Sequence, residues 1–140
     1  MSTSEITTAL NLAESPVHLD AIDDSESPAV VLENFAFDGA AFEQYIGKHC
    51  AKGPGRLVMI ETTASDWSHW ECHTEGDEIV VVLEGEGVMV QQLEGEEVHI
   101  PVQAGMAVVN PRNVWHTANV TQPLKALYIT PCRGTEHKAR

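Results

Sequence analysis

From Arg56 onward the chain alternates apolar and polar residues in short runs separated by breaks rich in Gly, Pro and Asn. This alternation places successive side chains on opposite faces of a strand, and the breaks favour turns. Many short strands at close spacing are typical of a β-sandwich or closed barrel. The predicted strands are Arg56–Thr63, Ser68–His73, Glu78–Leu83, Val88–Leu93, Glu97–Pro101, Met106–Val109, Val114–Val120 and Leu124–Thr130.

One short helix is predicted before the strands. It begins after the capping residue Asp38 and runs to about residue 50. Its apolar stripe recurs at helical spacing, which favours a helix packed by one face against the core. The stripe consists of Phe42, Tyr45, Ile46 and His49.

The first 28 residues are acidic and polar, and the chain contains no Lys or Arg before Lys48. We expect residues 1–28 to form an arm with little structure of its own. Residues 29–140, with a short strand at 29–33, are expected to form one domain.

The hairpin around residue 75 carries the candidate chemistry. On a strand through His69–His73, the side chains of His69, Glu71 and His73 share one face, while Trp70 and Cys72 take the other. A turn then leads to Glu78 at the start of the next strand. Two carboxylates and an imidazole at one mouth are suited to a divalent metal.

These residues resemble the first motif of the cupin family. The pattern Glu71-x-His73-x4-Glu78-x6-Gly85 keeps the spacing of that motif, but Glu71 stands where the family usually has a histidine. The stretch Gly105-x5-Pro111-x-Asn113-x2-His116 resembles the second motif, with Asn113 in place of a glycine. Together the two motifs cover roughly residues 56–131.

The resemblance implies an all-β fold with a single jelly-roll barrel. It also implies that one divalent transition metal, Fe, Mn, Ni or Zn, binds inside the barrel beside a small organic ligand. Carried over position by position, the metal ligands are Glu71, His73, Glu78 and His116.

The role of His69 is open. It lies on the same strand face as Glu71, so it is either the third imidazole ligand or a hydrogen-bonded residue at the barrel rim. In the first case Glu71 serves as a base or as an orienting residue. Glu71 and His69 are therefore the two candidates for a direct part in catalysis.

Three function classes agree with these residues. The first is a metal-dependent dioxygenase or related oxidoreductase that acts on a small organic molecule. The second is a non-enzymatic cupin that binds a small molecule in its cavity. The third is an isomerase or lyase in which Glu71 carries a proton.

Composition limits the partners. The chain of 140 residues has a formal net charge of −13, which argues against binding nucleic acid or an anionic membrane surface. It has neither an apolar run of membrane-spanning length nor a signal-peptide pattern. Trp70 and Trp115 fall opposite the candidate ligands, which indicates packing or a subunit interface, and a homodimer is predicted.

The three cysteines, Cys50, Cys72 and Cys132, are distant from one another and odd in number. No Cys-x-x-Cys pair occurs, so the spacing favours neither a disulfide framework nor a zinc ribbon. Cysteines of this kind are typical of a reducing compartment, and a cytoplasmic location is predicted.

Overall fold

The computed structural model describes residues 8–20, 29–33, 35, 39–51 and 55–140. Their secondary structure is almost entirely β, with one helix near the start. The elements are β1 (Val17–Leu19), β2 (Val30–Val31), α1 (Gly39–His49), β3 (Arg56–Thr63), β4 (His69–His73), β5 (Glu78–Leu93), β6 (Glu96–Gln103), β7 (Ala107–Asn110), β8 (His116–Pro131) and β9 (Thr135–Ala139).

All the strand pairings are antiparallel, and they rest on two strands of 16 residues, β5 and β8. Strand β8 pairs with β3, β4 and β5, and β5 pairs in addition with β6 and β7. Strands β1 and β2 extend the sheet beyond β3, and β9 extends it beyond β4. Among the described residues these pairings close no ring, so the jelly roll is a rolled sheet with open edges.

Each long strand replaces two predicted shorter strands. The predicted break at residues 84–85 is a bulge, where the register between β5 and β8 shifts. Gly85 has a φ of 88°, and a Cβ there would collide with the carbonyl oxygen of Pro123. The chain therefore bends at Gly85 without leaving the sheet, because glycine alone tolerates both the conformation and the close approach.

Alternate residues of the long strands fill the core. Val80 and Val82 on β5 and Ala126 and Tyr128 on β8 are almost fully buried, while the residues between them are more exposed. Helix α1 covers one part of this core with Tyr45. Over these stretches the predicted period-two pattern is the pattern of burial, whereas residues 89–91 and 116–118 are buried without alternation.

The helix is confirmed at Gly39–His49, and its predicted capping residue Asp38 lies outside the described residues. No described helix is long and apolar enough to cross a membrane. Strand β1 falls within the predicted arm and pairs with β2 and β3, so this part of the arm belongs to the sheet. The domain boundary at residue 28 stays a prediction.

The expectation that no disulfide forms is wrong. Cys50, just beyond α1, is joined to Cys132, just beyond β8, across a sequence separation of 82. Folding brings the two residues together, and their spacing along the chain contains no sign of it. The disulfide removes the cysteine argument for a reducing compartment, and the cytoplasmic location stays a prediction.

Candidate metal centre

Strand β4 lies between β8 and β9, and Glu71 is at the centre of this arrangement. Glu71 is directly opposite His116 on β8 and directly opposite His137 on β9. His69 and His73 share its strand face, as predicted, while Trp70 and Cys72 on the other face are buried in packing. The pairing of three strands therefore gathers several imidazoles around one carboxylate.

The structure brings together the four residues predicted as metal ligands. Their potential ligand atoms lie within 4.8 Å of one another. The Nε2 atom of His73 lies 3.1 Å from Glu71 Oε1 and 3.2 Å from Glu78 Oε2. The Nε2 atom of His116 lies 3.5 Å from Glu71 Oε1 and 3.4 Å from Glu78 Oε1. The side chains of His73, His116 and Glu78 are at most 2% exposed.

In both histidines, contacts of the Nδ1 atom fix the orientation of the ring. The Nδ1 atom of His73 is 2.9 Å from the Thr135 hydroxyl, and Nδ1 of His116 is 3.3 Å from the Val114 carbonyl oxygen. The two buried Nε2 atoms have no hydrogen-bond partner, because their contacts with the carboxylates lack hydrogen-bond geometry. A buried polar atom without a partner is costly, and a shared cation would satisfy both nitrogens.

Glu78 is held by neutral polar residues. The Thr130 hydroxyl donates to Glu78 Oε2 at 2.7 Å, and the Asn110 amide donates to Oε1 at 3.0 Å. Gln91 donates to the side-chain oxygen of Asn110 at 3.0 Å. These hydrogen bonds fix the orientation of the Glu78 carboxylate deep in the protein.

Contacts within the cluster shift the pKa values of Glu71 and His73 toward the charged forms. Burial lowers the pKa of His73, but the contacts with Glu71 and Glu78 together have the larger, opposite effect and raise this pKa to about 9. Burial raises the pKa of Glu71, but His116, His137 and His73 together hold it well below its usual range. Glu71 is therefore ionised, and a proton or a metal cation is attracted to the space between the two carboxylates.

His137 is the functional candidate that sequence reasoning missed. Its Nε2 atom is 2.9 Å from Glu71 Oε2, and this contact raises the pKa of His137. His69 lies beside it, with ring centroids 5.1 Å apart, and stacks on Trp67 at 5.4 Å. His69, Glu71 and His137 thus form a second group of potential metal ligands nearer the surface.

A cavity of about 430 Å³ opens beside the cluster. The odd-numbered residues of β3 form one wall, which changes from apolar at Leu57 and Met59 to acidic at Glu61. Phe42 and Tyr45 of α1 form another part. Burial and the charge of Glu71 raise the pKa of Glu61. The cavity has the size and mixed lining of a site for a small organic molecule.

Other predicted residues have structural roles. The Asp77 carboxylate accepts a hydrogen bond from the Arg112 backbone N–H at 2.7 Å, which fixes the turn before Glu78. Asn113 has a positive φ of 67°, the conformation expected of a residue that replaces glycine. Strand β8 begins at His116, so the predicted start of this strand at Val114 is wrong.

Comparisons with known proteins identify the family and the fold. The family model of the cupin domain matches residues 56–130, more than half of the chain. The chain belongs to the cupin family. No curated protein is similar to it in sequence. The assignment of the chain to the cupin family therefore rests on the domain match and on the fold.

Three solved structures illustrate the likeness. Oxalate decarboxylase from Bacillus subtilis, described with Mn(II) centres, is 15% identical, with a TM-score of 0.51 over 67% of this chain and 26% of its own. Salicylate 1,2-dioxygenase from Pseudoaminobacter salicylatoxidans, solved with gentisate adducts, is 15% identical. Its TM-score is 0.50 over 63% of this chain and 25% of its own.

The third structure, PAC13 from Streptomyces with uridine, is 15% identical, with a TM-score of 0.51 over 65% of this chain and 74% of its own. This cupin spans only about a quarter of the first two enzymes. Identities at this level show the shared fold.

Proposed function

We propose that this cupin binds one divalent transition metal through Glu71, His73, Glu78 and His116 and acts on a small organic molecule in the adjoining cavity. The observation that carries the proposal is the pair of buried Nε2 atoms of His73 and His116. They face two carboxylates and lack any hydrogen-bond partner.

The donor set limits the metal. Two imidazoles and two carboxylates suit Fe(II), Mn(II), Ni(II) or Zn(II), and the second carboxylate favours the harder ions of this group. Related cupin structures are described with metal, Mn(II) in the decarboxylase from Bacillus subtilis being one case. We favour Fe(II) or Mn(II), and an oxidoreductase of the dioxygenase class.

The chain's own residues supply binding and orientation. A bound divalent ion would polarise the substrate or activate dioxygen or water at its open positions. Thr135 and Val114 orient the two imidazoles, and Thr130 and Asn110 orient Glu78, so the ligand set is fixed before metal arrives. The apolar wall of β3 and α1 would exclude water from the substrate.

The test is the metal content of two variants, His73→Ala and His116→Ala. Protein purified without an affinity tag is analysed by elemental mass spectrometry, and folding is checked by thermal melting. We expect both variants to fold and to lose the ion, since ligands on preformed strands are not the main source of barrel stability. His99→Ala, at an exposed histidine on β6, is the matched control. If both ligand variants keep the metal content of the unchanged protein, the assignment is wrong.

Glu71 decides between two forms of this proposal. As a ligand, Glu71→Gln loses charge and should weaken metal binding about tenfold to a hundredfold, whereas Glu71→His restores the three-histidine set of the family and retains metal. As a proton shuttle, Glu71→Gln keeps the metal and loses turnover. Titration with metal, followed by turnover measurements on candidate substrates, separates the two roles.

Isomerase or lyase chemistry is the second candidate, and Glu61 favours it. This carboxyl group lines the same cavity, and burial and the charge of Glu71 raise its pKa, a direction that suits a proton-transfer group. If Glu61→Gln leaves ligand binding intact and abolishes turnover, proton transfer is part of the reaction. A non-enzymatic binding cupin would bind its ligand and show no turnover with or without metal.

A homodimer is also proposed. Trp70 is only 7% exposed in the single chain, so it has little area left for a partner, and its packing role is the better supported one. Exposed apolar side chains on and beside β5 and β7, Leu83, Met106 and Val109, are better candidates for the contact. Light scattering should give about twice the chain mass of 15.3 kDa, and a monomer mass would contradict the proposal.

A further inference from the structure

We infer that Glu71 bridges two metal ions, the second of which is held by His69 and His137 at the mouth of the cavity. This inference rests on the proposed function, because Glu71 belongs to both ligand sets. It goes beyond that function by assigning a second metal site and by naming the kind of substrate that the pair of ions would bind.

The two carboxylate oxygens of Glu71 face different neighbours. Its Oε1 atom is 3.1 Å from Nε2 of His73 and 3.5 Å from Nε2 of His116, inside the barrel. Its Oε2 atom is 2.9 Å from Nε2 of His137 on the side nearer solvent. A carboxylate oriented in this way has the geometry of a bridge, with one oxygen for each ion.

The second group is assembled by strand register. His137 is directly opposite Glu71 across the β4–β9 pairing, and His69 precedes Glu71 by two residues on the same strand face. The potential ligand atoms of these three residues lie within 4.8 Å of one another. Both histidines also line the cavity, so an ion between them would meet the bound molecule.

A hydrogen bond between His137 and Glu71 does not account for His69. Within the described ranges, no protein group hydrogen-bonds to the His69 ring nitrogens. Its ring is nevertheless fixed, by stacking on Trp67 with an interplanar angle of 14°. The Thr117 hydroxyl anchors its backbone by donating to the carbonyl oxygen at 2.8 Å. Within the described residues, His69 thus offers an unoccupied ring nitrogen beside a carboxylate and a second imidazole, and the three side chains together supply potential ligand atoms for a metal.

Charge indicates the substrate class. Glu71 and Glu78 together neutralise one divalent ion, and the neutral imidazoles of His69 and His137 would leave the second ion uncompensated. Paired ions about 3.5–4 Å apart hold and polarise oxygen atoms of one bound group. The site therefore fits a small organic anion that presents a carboxylate or a pair of hydroxyl oxygens to the cavity.

The test is the stoichiometry of binding by the full chain. Protein stripped with a chelator is dialysed against Zn(II) and the bound metal is measured, with folding checked by circular dichroism. We expect about two equivalents for the unchanged protein and the control His99→Ala. His69→Ala and His137→Ala should each bind about one equivalent, and His137→Gln, which keeps a polar side chain, should match His137→Ala.

The outcomes separate the inference from the proposed function. If the unchanged protein binds one equivalent, and the His69 and His137 variants bind the same, the inference is wrong and the four-residue site stands. If no equivalent binds, both fail. If two equivalents bind and both variants keep two, the second ion lies elsewhere and the inference is wrong.

Electron paramagnetic resonance of the Mn(II)-loaded protein gives an independent readout. Two ions bridged by Glu71 should give an exchange-coupled spectrum at full loading, and His137→Ala should restore the six-line signal of an isolated ion. Two uncoupled signals at full loading would overturn the bridge.

Discussion

Two clusters that contain buried histidines each contribute residues to the same cavity, and they differ in whether their polar atoms are satisfied. In the first, His18 contacts the Tyr45 hydroxyl through Nδ1 at 2.9 Å and Asp20 through Nε2 at 2.7 Å. The nearby sulfur atoms of Cys50 and Cys132 are joined to each other. In the second, the candidate metal centre, the Nε2 atoms of His73 and His116 have no hydrogen-bond partner.

Proximity of potential ligand atoms is therefore not enough to identify a metal site. His18, Cys50 and Cys132 are also close enough together to hold an ion, yet every one of them already has a protein partner. A satisfied cluster stabilises the fold, whereas an unsatisfied one is prepared for a ligand. We therefore expect changes in the His18 cluster to alter stability, and changes in the metal centre to alter binding.

The largest effect on stability should come from the disulfide. Opening a loop with a sequence separation of 82 should lower the free energy of unfolding by about 4 kcal/mol. Urea unfolding of Cys132→Ala, compared with the unchanged protein under oxidising and reducing conditions, measures the loss. Metal content should stay the same in the folded variant. A loss of metal would break the proposed separation between the clusters.

A smaller effect concerns pH and the metal-free centre. The pKa of His73 rises from 6.5 to about 9 on folding, so bound protons stabilise the metal-free fold by up to about 3 kcal/mol. This stability is fully present below pH 6.5 and is lost as the pH rises through 9. Bound metal displaces the proton, so metal affinity should instead rise over the same range.

Thermal melting of chelator-treated and metal-loaded protein between pH 6.5 and pH 9 checks this prediction. His73→Ala should remove most of the pH dependence of the metal-free protein, and His99→Ala should leave it intact. Equal pH trends with and without metal would contradict the prediction.

The smallest expected effects come from removing one hydroxyl in each cluster. Tyr45→Phe leaves Nδ1 of His18 without its partner and should cost about 1–2 kcal/mol of stability without changing metal affinity. Thr130→Val removes the hydrogen bond to Glu78 and should weaken metal binding about tenfold or more, with a stability change of about 1 kcal/mol. Metal titration and thermal melting of both variants measure these effects. Weaker metal binding in Tyr45→Phe and unchanged binding in Thr130→Val would contradict the prediction.

Sequence reasoning identified the four candidate ligands that the structure brings together, because their spacing follows a local rule. Glu71, His73 and Glu78 lie on one hairpin, and the second motif contributes His116. Strand alternation alone is enough to place Trp70 on the opposite face. The supporting residues were not predicted, because a single Thr or Asn has no motif and acquires its role only when distant strands meet.

Strand β9 was missed for a physical reason. Its five residues, Thr135–Ala139, are mostly polar and exposed, with no apolar alternation to indicate a strand. The pairing with β4 creates it. Strand β1 and the disulfide were not predicted either, because both depend on tertiary contacts. The predicted breaks within β5 and β8 were wrong because Gly85 permits a bend inside a continuous sheet.

Strand β4 has a paired neighbour on each side, and Glu71 meets a histidine across both pairings. Exchanging this acid for another candidate ligand leaves the strand pairings in place, whereas one inserted residue would shift the register and turn the candidate ligands on one side of it to the opposite face. Substitution at this one position would therefore be enough to alter the preference of the proposed metal site, whereas an insertion would preserve that site only if a bulge absorbed it.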